Sequence, residues 1–234
     1  MVYITGDTHG GYDIDKLFNI DYTEDDVLII CGDFGFVWER DYPKIVGEQA
    51  LLNLIMDSIP CTVLFVCGNH ENFARLNKLP RVEKFGAEVG LVRDRCYHLL
   101  RGNVYTIEGK TYLAIGGAES HDKKYRKEGI SWWKEESITL ADIEKAKKAG
   151  KVNFVISHCV PDKVKERMCL DGVLPLEYIM PSTSEYMLSD LQEAIEYDYW
   201  FSGHYHEDLM IGKHFILYND FVEIGEELNV IKNR

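Results

Sequence analysis

Five short apolar runs, each ending in a cluster of Gly, Asp, Asn or His, constrain this chain more than any other feature. Val2 to Thr5 leads into Gly6-Asp7-Thr8-His9, and Val27 to Cys31 into Gly32-Asp33. Thr62 to Cys67 leads into Gly68-Asn69-His70-Glu71, Val152 to Ser157 into His158, and Tyr199 to Ser202 into Gly203-His204-Tyr205-His206. Runs this short and this continuously apolar suit strands buried on both faces. Polar residues just beyond the carboxyl ends of such strands occupy the place where α/β folds put their sites.

Helical spacing fills the gaps. Leu51, Leu52, Ile55, Met56 and Ile59 predict a helix from Ile45 to Ile59, stopped by Pro60. A second helix is predicted from Thr139, as cap, to Ala149 before Gly150, and a third from Ser184 to Tyr197. Asn103 to Gly117 reads as a hairpin turning at Glu108-Gly109-Lys110, and Leu209 to Tyr218 as another turning at Gly212-Lys213. The polar stretch Glu119 to Glu136 is expected to be a long loop, and Val160 to Ser182 to be irregular. Strands alternating with helices, with added hairpins and no internal repeat or low-complexity linker, predict one layered α/β domain over residues 1–234.

Composition bounds the function. With 234 residues, 46% hydrophobic and 28% charged, the chain suits one globular domain. The net charge of −13 repels a phosphate backbone at long range, which disfavours a nucleic-acid partner. A small phosphorylated substrate remains compatible, because bound cations reverse the local field. The six cysteines show no Cys-x-x-Cys pairing and read as reduced, mostly buried thiols. No signal-peptide pattern and no long apolar run is seen, so the expectation is a cytoplasmic protein without a membrane partner.

The strand-end residues Asp7, His9, Asp33, Asn69, His70, His158, His204 and His206 mix carboxylate, imidazole and amide oxygen. Such a set suits borderline divalent metals, with manganese first and iron, zinc or nickel as alternatives. The clusters contain no cysteine, against a structural zinc site. A carboxylate such as Asp33 can bridge two ions about 3.5–4 Å apart, the spacing that clamps both oxygens of a phosphoryl transfer.

Asp7-x-His9, Gly32-Asp33, Gly68-Asn69-His70-Glu71, His158 and Gly203-His204-x-His206 resemble the five ordered motifs of the calcineurin-like metallophosphoesterases. Each motif alone is weak; all five in the family's order, over residues 7–206, are specific. The resemblance implies a four-layer α/β/β/α sandwich of two mixed sheets flanked by helices. It implies a first metal on Asp7, His9, Asp33 and His206, a second on Asp33, Asn69, His158 and His204, and a hydroxide between them that attacks phosphorus. His70 would sit by the leaving group as proton donor or charge partner, with Glu71 supporting either His70 or the residues behind the metal ligands. The implied activity is hydrolysis of a phosphomonoester or phosphodiester. The alternatives are a non-catalytic metal-binding scaffold of the same fold, or a nuclease.

Protein Ser/Thr phosphatases of this fold follow the bridging Asp with a Val-Asp-Arg-Gly-like run. Here Phe34-Gly35-Phe36-Val37-Trp38 follows, so the arginine that would grip phosphate is missing there. Arg126 and Arg75 are the candidate replacements, and Trp132 and Trp133 candidate pocket walls. Phe34, Phe36 and Trp38 fit packing better than stacking on a base. His98, His121 and His214 fall outside the motifs and read as surface or core.

Overall fold

Alternate residues of the central strands go to different layers, and that parity builds the whole fold. The computed structural model describes residues 1–38 and 47–233. Strands β1 (Val2–Thr5) and β2 (Val27–Ile30) precede helix α1 (Glu48–Ser58). Strand β3 (Thr62–Phe65) and the single turn α2 (Phe73–Leu76) lead into β4 (Arg81–Lys84), β5 (Ala87–Arg93) and β6 (Cys96–Leu99). Next come β7 (Val104–Ile107), β8 (Lys110–Ile115), α3 (Leu140–Ala146), β9 (Lys151–Ser157), α4 (Asp162–Leu170), α5 (Thr183–Ala194) and β10 (Glu196–Ser202). Two hairpins follow, β11 (Leu209–Ile211) with β12 (His214–Ile216), and β13 (Phe221–Ile224) with β14 (Leu228–Ile231).

Among the described residues the strands form two mixed sheets. One has eight strands in the order β14-β13-β1-β2-β3-β6-β5-β4, and the other six in the order β11-β12-β10-β9-β8-β7. In the first sheet Val2, Ile4, Val27, Ile29 and Leu64 face inward and meet Tyr112, Ala114, Phe154, Ile156 and Phe201 of the second. The intervening residues Leu28, Ile30, Val63 and Phe65 face outward, where Leu52, Ile55 and Met56 of α1 cover them. On the far side Leu113, Val155 and Trp200 lie under Ile143 of α3 and Leu188 and Leu191 of α5. The layers are therefore α/β/β/α, as the motif resemblance implies. Each fully buried Leu, Ile or Phe in such a core contributes about 1.5–3 kcal/mol.

Local signals hold at most element ends. Thr139 and Asp142 form a reciprocal capping box at the start of α3, and Ser182 and Glu185 form one at α5. The β7–β8 turn takes Glu108 and Gly109 to φ of 49° and 72°, the signs a two-residue hairpin turn needs. The first predicted helix is present as Glu48–Ser58 with Gly47 as cap; Ile45 and Val46, where the prediction began, lie outside the described residues. The third predicted helix ends at Ala194, because Glu196 and Tyr197 pair with Lys151 and Val152 of β9 and so belong to β10. The stretch read as irregular contains α4, whose Val164 and Met168 pack on Ile216. Residues 119–136 are a loop with two short 3-10 turns. Among the described residues no helix is long and apolar enough to cross a membrane, and all six cysteines are buried and unpaired.

Phe201 is fully buried between the sheets and stacks on Phe215 at 5.2 Å. Phe201→Ala is expected to cost about 3–5 kcal/mol in urea unfolding. Leu54→Ala, on the 62%-exposed face of α1, should stay within about 0.5 kcal/mol. Equal effects would contradict the layer assignment.

Candidate metal centre

Strands β1, β2 and β3 are parallel neighbours in one sheet, and β8, β9, β10 and β12 in the other. Their carboxyl ends open on one edge of the sandwich, and all five motifs meet there. The Thr8 and His9 amides donate to Asp33 O at 3.2 and 2.8 Å, and the Gly203 amide donates to His158 O at 3.0 Å. The backbone is strained at this edge. His9, Asp33, His204 and His206 have φ of 44°, 45°, 73° and 54°, a region costly for residues with a Cβ.

Each of the two carboxylates has one oxygen tied down and one presented. Asp33 Oδ1 accepts from the His70 amide at 2.7 Å. Asp33 Oδ2 then lies 3.2 Å from His9 Nε2 and 3.3 Å from His158 Nε2, between the two rings. Asp7 Oδ1 accepts from the His204 amide at 2.9 Å. Asp7 Oδ2 is buried, 3.2 Å from His206 Nε2 and 3.8 Å from His9 Nε2, with no directed hydrogen bond among the described residues. The motif glycines make this approach possible: a Cβ on Gly203 would sit 2.1 Å from Asp7 Oδ1, and one on Gly68 2.0 Å from Asp33 Oδ1.

The imidazoles are oriented from behind. His158 Nδ1 donates to Cys31 O at 2.8 Å, which turns Nε2 inward toward Asn69 Oδ1 at 3.2 Å. Asn69 Nδ2 donates to Ser120 Oγ, and Ser120 donates on to Glu136 at 2.7 Å, so the amide oxygen is the atom presented. His9 Nδ1 donates to Asp13 at 2.6 Å, again leaving Nε2 for the site. The His206 ring stacks on Tyr218 at 4.5 Å. His204 packs edge-on against His158 at 4.8 Å.

Lone pairs of Asp7, Asp33, Asn69, His9 and His158 therefore converge with no donor of their own between them. Only a proton or a cation relieves that arrangement. Burial alone would lower the pKa of His9 and His158, but the Asp33 carboxylate outweighs it and raises both to about 9. Asp33, although buried, is held well below the usual carboxylate range by the His158 charge. Protonated rings thus stand where divalent cations would, and the donor chemistry fits a metal. Three overlapping groups have ligand atoms within 4.8 Å of one another: Asp7–His9–His206, His9–Asp33–His70 and Asp7–Asp33–His158. His70, expected to stay off the metals, is close enough to belong to one of them. Burial, with Arg126 adding to it, lowers its pKa.

The remaining sequence expectations divide. Of the two roles expected of Glu71, it takes the one behind the ligands: it is fully buried and accepts from the Phe34 amide at 2.8 Å, fixing the loop after Asp33. Burial and then Asp33 raise its pKa to about 8. Arg75 is committed to Glu48 at 3.1 Å. Trp133 packs edge-on against Trp38 under α1, and Trp132 donates to Glu136 at 2.6 Å. Phe34 and Phe36 are core, with Phe34 stacked on Phe65 at 4.2 Å. His98 and His214 are buried away from the cluster, whereas His121 stacks on His204 at 5.9 Å. Arg126 does reach the site, with Nη2 3.2 Å from His70 Nε2.

Several supporting residues were not legible as such. Lys16 is buried and donates to the Asp7, Gly6 and Tyr218 carbonyls. Asp13 was findable, four residues past His9, as the acceptor a ligating histidine needs on its second nitrogen. Ser120 and Glu136 carried no signal, because they reach the site through other side chains, Asn69 and Arg126.

Residues 1–208 match the model of the calcineurin-like phosphoesterases. No curated protein matches the chain. Among solved structures, the sulfate thiohydrolase SoxB of Thermus thermophilus, in complex with glycerol, is similar at 15% identity and a TM-score of 0.43. The similarity covers 88% of this chain and 38% of that one, so this chain spans well under half of that protein's length. The family match extends over most of the chain: it belongs to the calcineurin-like phosphoesterases, a family of metal-dependent hydrolases.

In metal-free protein the raised His9 and His158 add stability that is fully present below their ordinary 6.5 and disappears as pH rises through about 9. The melting temperature in chelator should therefore fall between those pH values. Metal binding at pH 7.5 should release protons, seen as a buffer-dependent heat in isothermal titration. A heat independent of buffer ionisation enthalpy would contradict the shared-proton arrangement.

Proposed function

We propose, from this membership and this geometry, that the chain hydrolyses a phosphomonoester or phosphodiester with the aid of two divalent ions. The observation that carries the reading is Asp33 Oδ2, placed between His9 Nε2 at 3.2 Å and His158 Nε2 at 3.3 Å. One oxygen within reach of imidazoles from both ligand sets is what a shared carboxylate requires. Asp7, His9, Asp33 and His206 would hold one ion, and Asp33, Asn69, His158 and His204 the other; manganese is the first expectation for both. When bound, such a pair supplies Lewis acidity toward the phosphoryl oxygens and lowers the pKa of water.

The chain's own part is orientation. The His70 and His204 amides, Cys31 O, Asp13 and Ser120 fix the donor atoms before any ion arrives, so little reorganisation accompanies binding. In the reaction, water oxygen forms the new bond to phosphorus, the ester P–O bond breaks, and the departing oxygen takes up a proton. We assign that proton to His70, a reading supported by its amide bond to Asp33 and by its ring lying 5.3 Å from that of His9. A non-catalytic scaffold gains no support from the site, where every ligand position holds a residue type able to bind metal.

Chelator should inactivate the protein toward p-nitrophenyl phosphate or bis-p-nitrophenyl phosphate, and Mn²⁺ should restore it. Asp33→Asn and His158→Ala should each lower turnover by about 10³-fold, several kcal/mol of lost transition-state stabilisation. His70→Ala should lower kcat by roughly 10²–10⁴-fold at unchanged metal content. Undiminished turnover after metal stripping would sink the reading.

A further inference from the structure

The loop of residues 119–136 brings a guanidinium to the centre that the reaction as described does not use. Arg126 Nε pairs with Asp122 at 2.7 Å, and Nη1 reaches Ser120 Oγ at 3.4 Å. Nη2 lies against the His70 ring, 3.2 Å from Nε2 and 3.5 Å from Nδ1. The Arg126 side chain is only 15% exposed. His70 is itself one hydrogen bond from Asp33, so the guanidinium stands two residues away from the shared carboxylate.

The neck of this loop is braced. Buried Glu136 accepts from the Ser120 amide and hydroxyl, both at 2.7 Å, and from Trp132 Nε1 at 2.6 Å. Ser120 in turn holds Asn69. The same polar network therefore sets both a proposed metal ligand and the loop that carries Arg126. An arginine held through Nε by one carboxylate has four N–H bonds on its outer nitrogens, enough to serve Ser120 and His70 and still offer one to a phosphate oxygen. Here those groups point at the residue assigned to the leaving group.

We propose, resting on the phosphoesterase reading above, that Arg126 grips a terminal phosphate oxygen beside His70 and makes the site selective for phosphomonoesters over diesters. The chemistry behind the selectivity is a count of oxygens. Near neutral pH a bound monoester is a dianion with three terminal oxygens, while a diester is a monoanion with two. A charge-assisted bond to the third oxygen is open only to the monoester. A diester puts a second ester oxygen and its carbon substituent there, which gains little from a guanidinium and needs space next to a braced loop. This arginine comes from a different part of the chain than the run after Asp33, where Phe34 to Trp38 serve as core and wall.

The test compares Mn²⁺-loaded wild type with Arg126→Ala and Arg126→Lys, using p-nitrophenyl phosphate, bis-p-nitrophenyl phosphate and calorimetric binding of orthophosphate. Wild type should prefer the monoester. Arg126→Ala should lose about 10- to 100-fold in monoester kcat/KM and a similar factor in orthophosphate affinity. Its diester kcat/KM should stay within about threefold, with metal content and melting temperature unchanged. Arg126→Lys, which keeps the charge without the fork, should fall between the two. Lys124→Ala, on the exposed part of the loop over Tyr125, should change neither ester. A wild type that prefers the diester, equal losses on both esters, or loss of metal in Arg126→Ala would overturn the proposal. Turnover that survives Asp33→Asn would instead overturn the phosphoesterase reading on which it rests.

Discussion

A single carboxylate oxygen organises this molecule. Asp33 Oδ2 faces imidazoles from two sheets, His9 following β1 of the larger and His158 following β9 of the smaller. Concentrated negative charge and lone pairs at a buried point are unstable unless a cation or proton joins them. The surrounding structure accepts that cost in a consistent way. Four candidate ligands adopt left-handed backbone, and glycines at 68 and 203 leave room that any Cβ would occupy. Such conformations persist only where surrounding packing over-determines them. That packing is the inter-sheet core just beneath the site.

Strand order turns this local arrangement into a centre. Parallel pairing of β1, β2 and β3, and of β9 with β10, sends five carboxyl ends to the same edge. Residues separated by as much as Asp7 and His204 are then one hydrogen bond apart. Helices α1, α3 and α5 cover the outer faces and leave that edge open.

Much of this was legible in sequence because buried parallel strands are continuous apolar runs, and their ends carried the chemistry. Strands β4 and β14 were not, since Arg81, Glu83, Lys84 and Asn229 interrupt them at the two sheet edges. Helix α4 was missed because Val164 and Met168 are a short apolar stripe among charged neighbours. The ligand types could be read, but not the partners that aim them. Sequence left Glu71 with two roles, and the fold chose between them by giving its buried carboxylate the Phe34 amide of the Asp33 loop. Arg75 and Arg126 looked alike in sequence; only the fold placed one beside Glu48 and the other beside His70.

The central claim, that Asp33 is shared between two ions, is tested most directly by anomalous diffraction from crystals of Mn²⁺-loaded protein. The account predicts two peaks about 3.5–4 Å apart on either side of Asp33 Oδ2, one near Asp7, His9 and His206 and the other near Asn69, His158 and His204. A single peak, or two that do not both touch Asp33, would contradict it.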